Sequence, residues 1–158
     1  MKEKKLKNIR VCCYVALAFC LVWSVLIASN FIVTFAGSYA SAHPIDWSVN
    51  AAMKIIVLTC HVLGSVALIT MCTIAVFNVL KGLRENTVFP RSNEKLLFWI
   101  ALADFVYLLG LWNFQVLWDD SLMIQMQHSN FITPFFLLFF AFMYKVAADA
   151  VEENNLTV

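Results

Sequence analysis

Two runs of 26 residues, Val11–Ala36 and Ile55–Leu80, contain no Asp, Glu, Lys or Arg. At 1.5 Å per residue a helix over either would reach roughly 39 Å, beyond the ~30 Å hydrocarbon core, so each can span a bilayer with tilt. No other feature constrains the fold as strongly. In lipid every backbone polar group must be satisfied inside the structure, and an uninterrupted apolar run achieves that as a helix. A third span is expected over Leu96–Trp118, broken only by Asp104, and a fourth over residues 131–151.

Composition agrees with lipid as the solvent. Hydrophobic residues are 62% and charged residues 13% of the 158, against roughly 45–50% and about 25% in soluble domains. A cleavable leader competes for the first run, because Ala40-Ser41-Ala42 has the A-x-A form. Such leaders carry only about 7–15 apolar residues, however, so a membrane span is the expectation.

The fourth span leaves its start open. Thr133-Pro134 reads as a cap followed by proline at the first helical position. Otherwise the helix starts near Leu122 and Pro134 kinks it. The phenylalanines of residues 134–144 are expected against neighbouring helices and acyl chains, with a ligand box as the lesser reading.

Charge then orients the chain. Ten of the eleven Lys and Arg residues lie in the tail 1–10, in the island Lys81–Lys95 and at Lys145; only Lys54 lies elsewhere. The loops after spans one and three carry Asp46, Asp119 and Asp120 instead. By the positive-inside rule both termini and the island are cytoplasmic. The expected architecture is all-α: one polytopic domain over 1–158, four transmembrane helices in two antiparallel hairpins, a cytoplasmic loop 81–95 and an acidic tail 152–158. Its first partner is the lipid bilayer, and homo-oligomers are compatible with it. The net charge of +1 gives no basic field for direct nucleic-acid binding.

Ionisable groups within a span are costly and mark function by default. His61 and Asp104 qualify. Counting outward from the island sets Cys72 level with Asp104 and His61 level with Gln115, with an offset of about a turn allowed. These four residues form an expected polar seam between spans two and three. It can serve as a proton or ion relay or a small-ligand site, or as interhelical hydrogen bonds averaging ~0.6 kcal/mol.

No catalytic constellation is visible, and no cofactor is expected. Exterior His43 and His128 lack metal-ligand spacing, and the five cysteines show no CxxC. They read as small packing residues. Ser92 is expected to cap the third helix, with Glu94 in its first turn.

Two short motifs add a resemblance. Val88-Phe89-Pro90-Arg91-Ser92-Asn93-Glu94-Lys95-Leu96 and Val151-Glu152-Glu153-Asn154-Asn155-Leu156-Thr157-Val158 resemble the third-helix start and the terminus of a bacterial membrane family catalogued as domain of unknown function 2975. Asn155 stands where that family more often has aspartate, and Pro90-Arg91 where it has a small polar start. The resemblance covers nearly the whole chain and implies a bacterial inner-membrane protein with four spans. Members are often encoded beside a small helix-turn-helix regulator. That implies a non-enzymatic regulatory or interaction protein, which docks a small DNA-binding regulator through Phe89, Ser92, Glu94, Glu152, Glu153 and Leu156. The alternative is a small transporter, channel or export-resistance protein working through Asp104 and His61.

Overall fold

The computed structural model describes residues 2–36, 41–85, 87–118 and 125–156. Ala40, Asp119, Asp120, Leu122, Thr157 and Val158, which carry sequence expectations, lie outside the described residues. Helices α1 (Lys2–Ala36), α2 (Ala51–Arg84), α3 (Ser92–Trp112) and α4 (Ser129–Leu156) follow in order, with a 3-10 turn at Phe114–Leu117 after α3. All four are long and apolar enough to cross a membrane, and no strand occurs among the described residues. The chain is therefore all-helical and suited to a multi-pass membrane protein.

Helices overrun the apolar runs. Helix α1 takes in most of the basic tail, and α2 begins at Ala51 and ends at Arg84, so the connection between α2 and α3 shrinks to residues 85–91. At the start of α2, Asn50 adopts the left-handed conformation (φ 53°) that asparagine tolerates. Lys54 thus belongs to the first turn of α2 rather than to a loop. Its ammonium is buried and donates to the Asp46 carbonyl at 2.7 Å.

Two helix boundaries differ from the sequence reading. The third helix stops at Trp112, short of Trp118, because Asn113 turns its side chain to other work. Its Nδ2 donates to the carbonyls of Leu109 (2.8 Å) and Gln125 (3.0 Å), and its Oδ1 accepts from the Gln125 N–H at 2.6 Å. Helix α4 begins upstream of Thr133-Pro134. The His128 carbonyl accepts from the N–H groups of Phe131 and Ile132, while buried Asn130 accepts from the Gln127 N–H through its Oδ1. Pro134 lies inside the helix, where it forgoes one backbone bond.

Packing is sequential: α1 meets α2, α2 meets α3 and α3 meets α4, the middle pair most extensively, and α1 and α4 do not meet among the described residues. Glycine allows the closeness of the middle pair. A Cβ on Gly64 would come within 2.6 Å of the Tyr107 backbone, and one on Gly110 would strike the backbone of His61. Small residues at such crossings are how helices approach in lipid, where burial against hydrocarbon gives little drive to associate.

Candidate functional site

Contacts gather several helix ends around the short α2–α3 connection. Asn78 near the end of α2 donates through Nδ2 to Asn93 Oδ1 at 2.8 Å, and Asn93 Nδ2 donates to the Ala75 carbonyl at 2.9 Å. Asn93 is 2% exposed, so this two-asparagine bridge pins the start of α3 inside the structure. Gly82 lets the chain turn tightly there: its carbonyl accepts from the N–H groups of Glu85 and Thr87. Ser92 does not cap the helix. The cap position is Arg91, no side-chain capping bond is made, and Ser92 is the exposed first helical residue. Backbone bonds from Asn93 N–H to the Pro90 carbonyl and from Glu94 N–H to the Arg91 carbonyl satisfy this end instead.

The far end of α4 folds onto the same place. Tyr144 donates its hydroxyl to the Pro90 carbonyl at 3.0 Å and meets the Phe89 ring edge-on at 5.4 Å. Arg91 donates to Asp149 at 3.0 Å and to Glu152 through Nε at 2.8 Å, with a second bond to Glu152 from the same guanidinium. Glu94 lies between Arg91 (3.8 Å) and Lys145 (3.5 Å). The Glu152 carboxylate, accepting these bonds and adding its charge, holds the Arg91 guanidinium above its ordinary range, and Asp149 and Glu94 act in the same sense. The two motif segments are thus one patch, in which the acidic tail meets the island of its own molecule. Glu153 is exposed on α4, and Leu156 ends that helix.

The polar residues within the spans sit differently from one another. His61 (9% exposed) and Asp104 (8%) are buried, on α2 and α3 respectively. The His61 ring is stacked or tilted against Phe31 at 5.8 Å, Tyr107 at 5.4 Å and Phe114 at 4.8 Å. Asp104 lies near enough to Cys72 and Tyr107 to act on both electrostatically. Among the described residues neither His61 Nδ1 nor Asp104 Oδ2 finds a hydrogen-bond partner.

Gln115 does not join them. It is exposed in the 3-10 turn, because α3 ends before it. The contacts Asn78–Asn93, Gly64–Tyr107 and His61–Gly110 set the register, and by it Asp104 stands level with Ala67. The position expected for Gln115 beside His61 is held by Gly110 and Phe114.

At the opposite end, the Asp46 carboxylate accepts from Ser48, hydroxyl first and then backbone N–H, which holds its pKa below the usual carboxylate range. His43 accepts from Trp118 Nε1 through its carbonyl at 3.1 Å. Among the described residues no three His, Cys, Asp or Glu side chains gather closely enough to hold a metal ion. An apolar groove of about 760 Å³ runs between α3 and α4, lined by Phe98, Phe105, Phe131, Pro134 and Phe135 among others. It suits acyl chains.

Sequence reasoning missed Asn93, Gly64 and Gly110. The signal was present, since only four glycines occur in the chain and a mid-helix glycine costs stability unless packing uses it. Comparison of the chain with protein-family models, with curated proteins and with solved structures finds no match.

Proposed function

We propose that this chain is a non-enzymatic regulatory or interaction protein of the bacterial inner membrane. In this reading it forms two antiparallel hairpins, with both termini and the island in the cytoplasm, and belongs to the family catalogued as domain of unknown function 2975. Its cytoplasmic face docks a partner such as a small helix-turn-helix regulator. The observation that supports this reading most is the convergence of the two motif segments. Arg91, Asp149 and Glu152 meet on one exposed face, whereas sequence alone leaves the segments far apart. A charged surface assembled from two distant segments is a recognition surface of mixed sign, and a basic DNA-binding protein would meet its acidic half.

Purification from gentle detergent tests this reading. A small helix-turn-helix protein should co-purify, identified by mass spectrometry, and Glu152→Gln with Glu153→Gln should release it. Retention of the protein by that double variant, or its absence from wild-type preparations, overturns the proposal.

A second reading rests on a separate observation: His61 Nδ1 and Asp104 Oδ2 are buried without a hydrogen-bond partner among the described residues. Unpaired polar atoms in a membrane interior support a proton- or ion-coupled transporter, channel or export-resistance protein. On that reading Asp104→Asn abolishes solute or proton movement in reconstituted vesicles and leaves partner binding intact.

A further inference from the structure

A cavity of about 550 Å³ opens between α1 and α2, near the α2–α3 connection, lined by Arg10, Tyr14, Phe77, Asn78, Leu80, Lys81 and Arg84. Helical spacing builds it. Arg10 and Tyr14 are one turn apart on α1, and Phe77, Lys81 and Arg84 follow one another by single turns on α2. Three cations therefore face one space. Among the described residues none of the three uses its side chain in a hydrogen bond or ion pair. The carboxylates Glu94, Asp149 and Glu152 are engaged by Arg91 and Lys145. Glu85, next to Arg84, is exposed and forms no ion pair with them.

Depth identifies what such a cavity meets. Arg10 immediately precedes the uncharged run Val11–Ala36, and Lys81 immediately follows the run Ile55–Leu80. The cations thus sit where hydrocarbon gives way to lipid headgroups. Behind them Tyr14, Phe77 and Leu80 offer an apolar wall, and Asn78 is held in place by its bond to Asn93. The volume falls within the about 300–1,000 Å³ of small-molecule sites, more than a single phosphate needs.

We propose that this cavity binds a phosphate group, and that the phosphate belongs to the headgroup of an anionic phospholipid. Arg10, Lys81 and Arg84 bind the phosphate oxygens. Arginine does so through its fork of N–H groups and lysine as a point charge. The glycerol and the first methylenes lie along Tyr14, Phe77 and Leu80. Basic recesses between membrane helices at headgroup depth favour this chemistry. The site is separate from the Arg91 patch and stands whether or not a protein docks there.

The test is lipid binding by the full-length protein in neutral detergent, measured by native mass spectrometry. It is titrated separately with cardiolipin, phosphatidylglycerol, phosphatidylcholine and inorganic phosphate. The two anionic lipids should be retained and phosphatidylcholine should not. Arg10→Gln, Lys81→Gln and Arg84→Gln should each weaken retention about fivefold, the worth of one cation near a membrane surface. Arg84→Lys should keep most of it, and Lys95→Gln, an exposed cation on α3 outside the cavity, should change nothing. Circular dichroism checks that each variant keeps its helices. Displacement of the lipid by millimolar inorganic phosphate would uphold the phosphate chemistry and overturn the lipid as its source. Wild-type retention by the triple glutamine variant, or an equal loss from Lys95→Gln, overturns the site.

Discussion

Helices α2 and α3 are locked together, while α1 only leans on α2. The contrast shows what holds helices together once lipid has removed the hydrophobic drive. Both pairs have abundant apolar side chains, so apolarity does not separate them. The middle pair has glycines at two crossings and a two-asparagine bridge between helices. Among the described residues helix α1 has neither. Its Ser24 and Ser29 hydroxyls bond to carbonyls of their own helix, and apolar clefts of about 220 and 340 Å³ remain between it and α2. Only 6% of its apolar window is buried, against 33% for α3. Close packing and interhelical hydrogen bonds decide association here, as expected where lipid tails solvate leucine as well as another helix does.

The largest test breaks the middle pair. Gly110→Val should drive α2 and α3 apart, since even a Cβ meets the His61 backbone, and Gly64→Val should do the same against Tyr107. Overpacking costs about 1–3 kcal/mol where side chains can yield, and backbone yields less readily. Thermal unfolding in detergent, followed by size-exclusion chromatography, should show a lowered midpoint for both variants. Wild-type stability in either would mean the glycines are incidental.

Next comes the bridge. Asn93→Ala leaves the half-buried Asn78 amide without its partner and removes a second bond to the Ala75 carbonyl, at about 1 kcal/mol. The double change Asn78→Ala with Asn93→Ala should cost less than the two single losses added together, because it removes both unsatisfied sides of one bond. Equal additivity would show that the bridge is not coupled.

These two tests also mark how much can be read from the chain alone. The four spans are legible because a charge-free run of 26 residues has one low-energy form in lipid. The third helix's end is not, because Asn113 breaks it through bonds to Gln125, a residue across a loop. Register fails for a related reason. Counting outward from Leu80 and Leu96 assumes that these two run ends lie level with each other. Yet α2 runs six residues beyond Asn78, while its partner Asn93 is only the second residue of α3, so the helix ends are not level and Asp104 stands level with Ala67 instead of Cys72. Burial of His61 and Asp104 follows from their cost in lipid and is legible. Their missing partners depend on side-chain geometry and are not.

A smaller effect is expected at the Arg91 patch. Its ion pairs are exposed, and exposed pairs add little to stability. Arg91→Gln should leave the unfolding midpoint nearly unchanged while freeing the end of α4. Amide exchange should therefore rise around residues 149–153 and not around Asn93. A fall in the midpoint as large as that of Asn93→Ala would show that the patch, rather than the asparagines, secures this end of α3.

The smallest effect belongs to α1, and it is the sharpest check on the contrast. Leu21 and Val25 are 68% and 61% exposed, so a bilayer around α1 would set acyl chains against them. Leu21→Ala exchanges contacts with lipid for contacts with lipid in both the assembled and the separated states. Its cost should be about zero, although a buried leucine loses roughly 2–5 kcal/mol to the same change in a protein core. Leu117, fully buried in the 3-10 turn beyond α3, supplies the matched comparison: Leu117→Ala should destabilise clearly. If Leu21→Ala costs as much as Leu117→Ala, the outer face of α1 is covered by protein rather than lipid. A second copy of the chain would then be the first occupant to seek, by cross-linking through a cysteine introduced at residue 21.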